Sequence, residues 1–152
     1  MKGFRFVSML FGVLFSALAI AFPCYMTLVK DSCWTNYNVT VKVNDTSKDK
    51  VIATINVPED KQWVRAKFEC EPKQTFMLIA SFMPAFWKAD EGKEYPAKRY
   101  WALPETIVGK TRAWNMNICY PADFSAVPLP PDASGKCACD MTKIPSVKPV
   151  KD

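Results

Sequence analysis

The segment YNVTVKV at residues 37–43 alternates apolar and polar side chains along the chain. Its apolar positions fall on every second residue: Tyr37, Val39, Val41 and Val43. A period of two, carried by β-branched residues, is typical of a strand with one buried face and one solvated face. The segment therefore indicates a sheet, and its remaining strands are expected nearby in the sequence.

Further segments with strand character follow, each bounded by a proline or a turn signal: 51–57, 62–70, 75–83, 99–103 and 111–120. The segment 75–83 is almost wholly apolar, which indicates a central strand covered on both faces. We find no convincing amphipathic helix. Short strands at roughly regular spacing predict an all-β fold, either a small antiparallel β-sandwich or a partly open barrel.

The N-terminal region has the layout of a secretory signal. Lys2 and Arg5 precede an uncharged apolar run, residues 6–21, that ends in small side chains. This pattern predicts a signal peptide over residues 1–21, cleaved after Ala21. An uncleaved anchor is the alternative, but the run is shorter than the roughly 20 residues of a membrane helix. We therefore expect a periplasmic or secreted protein without a transmembrane anchor after cleavage.

The composition divides the remaining chain in two. Residues 22–131 are predicted to form a single all-β domain, and residues 132–152 a largely irregular tail that contains cysteine. Prolines interrupt regular structure from residue 121 onward, at Pro121, Pro128, Pro130, Pro131, Pro145 and Pro149. Such a tail is loose unless other contacts hold it in place.

The chain has six cysteines, and all of them follow the predicted signal: Cys24, Cys33, Cys70, Cys119, Cys137 and Cys139. An even number in a small exported chain predicts a disulfide framework. Cys70 and Cys119 each stand at the end of a predicted strand. A Cys70–Cys119 bridge is therefore the preferred pairing.

The other four cysteines flank the domain, two in the entry segment and two in the tail. A direct Cys137–Cys139 bond would close a small, strained ring. We therefore expect Cys24 and Cys33 to pair with Cys137 and Cys139, in either order. The alternative is that the Cys-Ala-Cys sequence acts as a redox pair or binds a soft metal.

The absence of histidine limits the chemistry of the chain. It excludes Ser-His-Asp triads, Cys-His dyads and histidine metal sites. We therefore expect no enzyme activity, no cofactor and no metal. The net charge of +5 comes from scattered lysines and arginines, and no nucleic-acid partner is expected. Asp90, Glu91 and Glu94 lie near Trp87, so a carbohydrate-binding or weakly hydrolytic protein is an alternative.

Aromatic residues supply the candidate binding site in two groups, either of which is a candidate: Phe86, Trp87 and Tyr95 in a long connection, and Tyr100, Trp101 and Trp114 on nearby strands. Rigid rings beside lysine and arginine are typical of protein interfaces. Trp87 is expected to be the most exposed, because Pro84 ends a strand just before it and charged residues follow. The leading hypothesis is a non-catalytic binding protein with a protein partner in the cell envelope or the extracellular space.

The order Cys70, Trp87, Cys119 resembles the Cys…Trp…Cys order of immunoglobulin-like domains. The sequence departs from that family at Asn117, where the family has a tyrosine before its second cysteine. The resemblance implies a sandwich architecture and carries no function.

Overall fold

The computed structural model describes residues 21–105 and 113–147. It contains eight strands: β1 (Phe22–Lys30), β2 (Asn38–Asp45), β3 (Lys50–Val57), β4 (Trp63–Cys70), β5 (Thr75–Met83), β6 (Tyr95–Pro96), β7 (Trp101–Ala102) and β8 (Trp114–Tyr120). Two short 3-10 helices lie between strands, Ser32–Trp34 and Lys88–Asp90, and a third, Met141–Lys143, follows β8 in the tail. The predicted signal peptide, residues 1–21, lies outside the described residues except for Ala21.

The strands form two sheets that pack face to face. One sheet has the order β4-β1-β8, and the other has the order β3-β2-β5, with β6 and β7 both beside β5. Phe68 of β4 packs edge-on against Phe76 of β5, with ring centroids 5.9 Å apart. The predicted all-β sandwich is confirmed, and the described strands close no barrel.

Strand β1 was not predicted, because the segment was interpreted as the entry to the domain. It lies between β4, to which it is antiparallel, and β8, to which it is parallel. The sandwich is therefore not purely antiparallel. Met26 and Leu28 of β1 are buried toward the other sheet, and Thr27 and Val29 are buried on the outer face.

The C-terminal tail covers the outer face of β1. The Arg65 guanidinium on β4 donates a hydrogen bond to the Pro145 carbonyl at 2.6 Å. The same side chain donates to the Thr27 hydroxyl at 2.8 Å. Cys139 lies against the Val29 carbonyl, with the sulfur 3.5 Å from the oxygen. The tail therefore provides a third layer, which explains why a strand of the outer sheet is buried on both faces.

All six cysteines are paired in disulfides, as Cys24–Cys70, Cys33–Cys137 and Cys119–Cys139. The preferred Cys70–Cys119 bridge was wrong. Cys70 faces the core from β4, whereas Cys119 is on the opposite face of β8, and β1 lies between the two strands. The expected link between the entry segment and the tail is formed by Cys33–Cys137, and no bridge joins Cys24 to the tail.

Lys30, at the end of β1, is 1% exposed. Its Nζ atom donates to the carbonyls of Thr35 at 3.3 Å, Tyr37 at 2.8 Å and Pro58 at 2.7 Å. Burial lowers the pKa of Lys30 to about 8, although the negative charges of Asp60 and Glu59 act to raise it. The ammonium group therefore remains protonated at neutral pH, and it holds two loops against the end of β1.

We expect Lys30→Met to lower the free energy of unfolding by about 2 kcal/mol, because three part-buried carbonyls lose their donor. Urea unfolding at pH 7 measures the change. Lys61→Met is the control, since Lys61 is exposed and lies in the neighbouring turn. Equal stability of the Lys30 variant and the wild type would show that these hydrogen bonds do not stabilise the fold.

Asp45 is the buried acid at the end of β2, and it is fully shielded from solvent. Its carboxylate accepts hydrogen bonds from the Gln74 amide and from the Ser47 hydroxyl, and from the backbone N–H groups of Ser47 and Lys48. Burial by itself raises the pKa of Asp45, but these hydrogen bonds outweigh it and lower the pKa to about 2. The charged form is therefore the one that the fold stabilises.

This lowered pKa predicts an acid-dependent stability. An aspartate whose pKa is lower in the folded state stabilises the fold fully above the unfolded value, here 3.8, and loses that contribution as the pH falls toward 2. Asp45→Asn should be less stable at pH 7 and should show a flatter stability profile between those two pH values. Denaturant midpoints measured across that range test this. Parallel profiles for variant and wild type would exclude Asp45 as the cause.

Candidate functional site

Met83, the last residue of β5, and Trp87, four residues later, are large apolar side chains that lie exposed, and we call these two residues the Trp87 patch. Met83 is 62% exposed and Trp87 is 67% exposed. Pro84 follows Met83 and ends the strand, so the chain leaves the sheet at this point. Large apolar side chains at such exposure are candidates for contact with a partner.

Aromatic rings pack together beside the Trp87 patch, with Phe82 and Tyr95 buried and Phe86 partly buried. Phe86 packs against Phe82 with ring centroids 4.8 Å apart, and against Tyr37 at 5.2 Å. Tyr95 stacks on Phe82 at 5.8 Å. Phe86 and Tyr95 thus attach both ends of the connecting loop to one core residue. The position of Trp87, next to Phe86 in the chain, follows from this anchoring.

Local bonds hold the loop that follows Trp87. The Asp90 N–H donates to the Trp87 carbonyl at 2.9 Å, which closes the 3-10 turn. Lys93 forms an ion pair with Asp90, and the pKa of Lys93 is raised by this contact. Gly92 has a φ of 76°, in the left-handed region that glycine adopts without strain. The patch is therefore displayed on a loop with a defined conformation.

The structure divides the predicted aromatic residues among three places. Phe86, Trp87 and Tyr95 lie together, with Trp87 exposed and Tyr95 buried. Tyr100 is 62% exposed beside Trp101, which pairs with the start of β5 rather than its end. Trp114 is on the other sheet and packs partly against the core. The six residues therefore do not form one continuous surface.

Trp101 has an immediate electrostatic partner. The Arg99 guanidinium carbon lies 3.9 Å from the centroid of its ring. A cation at this distance covers one face of the indole and interacts favourably with its quadrupole. This contact occupies the ring face that a ligand would otherwise use, so Trp101 is a weaker candidate than Trp87.

The acidic residues near Trp87 are largely paired with lysine. Asp90 binds Lys93, and Glu94 binds Lys42 from β2. Glu91 is exposed in the same loop. Asp90 and Glu94 each have one carboxylate oxygen bound to a lysine, which disfavours their use as the acid and the nucleophile that flank a glycosidic bond.

Cys137 and Cys139 belong to different bridges, so they do not form a redox pair with each other. Asp31, Cys33 and Cys137 bring their potential ligand atoms within 4.8 Å of one another. The two sulfur atoms are bonded to each other as a disulfide, however, and a disulfide supplies no thiolate to a metal. The cysteine cluster therefore has a cross-linking role.

Met83 was missed as a site residue. The apolar segment 75–83 was interpreted as a strand covered on both faces, and this is only half correct. Phe76, Leu78 and Ala80 are buried, whereas the alternate positions Met77 and Ile79 are only half-buried. Because Met83 belongs to the less buried set and is the last residue of the strand, its position in the alternation was the available signal.

No protein-family model matches the chain, and no curated protein is significantly similar to it. The resemblance to immunoglobulin-like domains is not supported by the geometry, because Cys70 and Cys119 are not bonded and Trp87 lies at the surface. Within residues 21–105 and 113–147, no helix has the length and apolar character needed to cross a bilayer.

The exposure of Trp87 makes a direct spectroscopic prediction. Among the five tryptophans, Trp34 is fully buried and Trp63, Trp101 and Trp114 are half-buried. We expect Trp87→Phe to remove most of the fluorescence that acrylamide quenches efficiently, because the quencher must collide with the indole. Trp101→Phe is the matched control and should retain that component. Equal losses in both variants would contradict the exposed position of Trp87.

Proposed function

We propose that the chain is an exported, non-catalytic binding protein that contacts a protein partner through the Trp87 patch. The observation that carries this proposal is the strong exposure of two large apolar side chains, Met83 and Trp87, which flank the anchored residue Phe86 in the chain. Interface energy is concentrated in such large, rigid side chains, and a fixed conformation lowers the entropy lost on binding.

The cross-links support the proposed compartment. Three disulfides that use every cysteine are typical of a protein that folds in an oxidising compartment. The periplasm or the extracellular space is the specific form of this proposal, and the signal-like sequence at residues 1–21 supports it. The expected partner is therefore a protein of the envelope or of the surrounding medium.

The absence of catalysis is part of the same proposal. The candidate chemistry that the sequence offered was carboxylate chemistry near Trp87 and thiol chemistry at Cys137 and Cys139. Lysines engage Asp90 and Glu94, and disulfides engage both cysteines. The exposed side chains of Met83 and Trp87 remain, and a binding role explains their exposure whereas a catalytic role does not.

A photo-crosslinking experiment tests this role. A benzophenone amino acid placed at position 87 should form a discrete adduct with one protein in intact cells or in culture medium of the source organism. The same probe at Tyr100, which is equally exposed but distant in the sheet, is the matched control. Met83→Ala should weaken the adduct at position 87 by about fivefold or more, since hot-spot truncation costs at least 1 kcal/mol.

The proposal fails in two ways that the experiment distinguishes. Identical adduct patterns from positions 87 and 100 would show general surface encounters rather than a site. An adduct at position 87 that consists of carbohydrate or lipid would replace the protein partner with another class of ligand.

A further inference from the structure

The outer edge of β8 is unpaired in the described part of the chain. β8 ends the three-stranded sheet, and β1 is the strand that pairs with it. The Asp31 N–H donates to the Tyr120 carbonyl, so the backbone groups of Tyr120 point toward β1. Because the direction of these groups alternates along a strand, those of Asn115, Asn117 and Cys119 point away from β1.

At the C-terminal end of this edge, the outward backbone groups already have hydrogen-bond partners. The Cys119 N–H donates to the Asp123 carboxylate at 2.7 Å, and the Cys119 carbonyl accepts from the Asp123 N–H at 2.9 Å. No such partner is found for the outward groups of Asn115 and Asn117 among residues 21–105 and 113–147. Both asparagines are exposed. Their backbone groups form a short template onto which another strand can pair.

The other edges of the two sheets carry features that discourage such pairing. β3 has a bulge opposite Val43 and Asn44 and begins with Lys50. β6 and β7 have two residues each, and β6 contains Pro96. β4 carries charges at alternate positions, at Arg65, Lys67 and Glu69. Charges, proline, bulges and short length are the usual means by which proteins block edge pairing.

β8 has none of these features. Its seven residues, WNMNICY, contain no charged residue and no proline. Its pairing with β1 proceeds without a register shift from Trp114 to Tyr120. The contrast with the protected edges shows that this edge alone is suited to accept a strand among those described.

We propose that the β8 edge is a self-association surface, at which a second copy of this chain pairs its own β8 in antiparallel orientation about a two-fold axis through Met116. In this register Asn115 of one copy lies opposite Asn117 of the other. Both residues direct their N–H and carbonyl groups outward, so these groups satisfy one another as hydrogen-bonded pairs. The backbone hydrogen bonds of this register are confined to Asn115 and Asn117, so they do not compete with the Asp123 bonds to Cys119.

The side chains of β8 suit this partner. A two-fold axis brings equivalent surfaces together, so any charge near the axis would lie close to its own like charge. An uncharged strand avoids this repulsion. The side-chain amides of Asn115 and Asn117 face each other on the outer surface, and Trp114, half-buried at the edge, lies across from Ile118 of the second copy.

This surface is separate from the Trp87 patch. β8 belongs to the three-stranded sheet, whereas Met83 and Trp87 follow from the five-stranded sheet. Self-association at one and partner binding at the other are therefore independent, and failure of either leaves the other standing.

Sedimentation velocity of the purified, disulfide-bonded chain, from about 1 μM to about 500 μM, tests the proposal. We expect a monomer–dimer equilibrium. Asn115→Lys combined with Asn117→Lys places lysine opposite lysine and should raise the dissociation constant about tenfold or more. Asn115→Asp combined with Asn117→Lys places opposite charges across the axis and should preserve the dimer. Thermal melting confirms that both double variants fold.

Hydrogen exchange provides a second measurement on the unmodified chain. The amides of Asn115 and Asn117 should exchange more slowly as the protein concentration rises. A monomer at every concentration would overturn the proposal, as would equal effects of the two double variants. Slow exchange of these amides at the lowest concentration would also overturn it, because another segment of the same chain would then cover the edge.

Discussion

The burial of β1 on both faces is the constraint on which the rest of the structure depends. Its inner side chains, Met26 and Leu28, complete the core between the sheets, and Thr27 and Val29 lie under the tail. Its two edges are occupied by β4 and β8. A strand in this position needs packing partners on both faces and hydrogen-bonding partners at both edges. The proline-rich tail must therefore remain in place for the three-stranded sheet to keep its central strand out of water.

The disulfides attach the tail, a segment with little secondary structure of its own, to the domain. Cys119–Cys139 and Cys33–Cys137 attach two points of the tail to the domain, on either side of residue 138. Each bridge contributes on the order of 2–4 kcal/mol, chiefly by restricting the unfolded chain. Lys30 has a related role from within, because its ammonium group joins the loops at Tyr37 and Pro58 to the end of β1. Covalent and polar contacts thus hold irregular segments that have little secondary structure of their own.

The sequence predicted the strands that show alternation or an apolar run, and it placed four of them within a residue or two of their bounds in the segments from Asn38 to Met83. It missed β1 because Phe22–Lys30 follows the signal-like run directly and lacks a regular alternation of apolar and polar side chains. That omission contributed to the wrong Cys70–Cys119 bridge, because β1 separates β4 from β8, and the two cysteines also face opposite sides of the sheet. The anchoring of Phe86 and Tyr95 on Phe82 is a tertiary contact, and no local pattern contains it.

The two surfaces differ in the physical feature that makes each available. At the Trp87 patch, Phe86 is fixed by neighbouring rings, so its neighbour Trp87 is turned outward and kept exposed. At β8, exposure arises because the backbone alternates and the sheet ends there. A side-chain surface recognises shape and apolar area, whereas a strand edge recognises backbone geometry and is indifferent to sequence unless charge intervenes. The absence of charge in β8 is therefore the feature that distinguishes this edge, because every other described edge of the fold is protected against pairing.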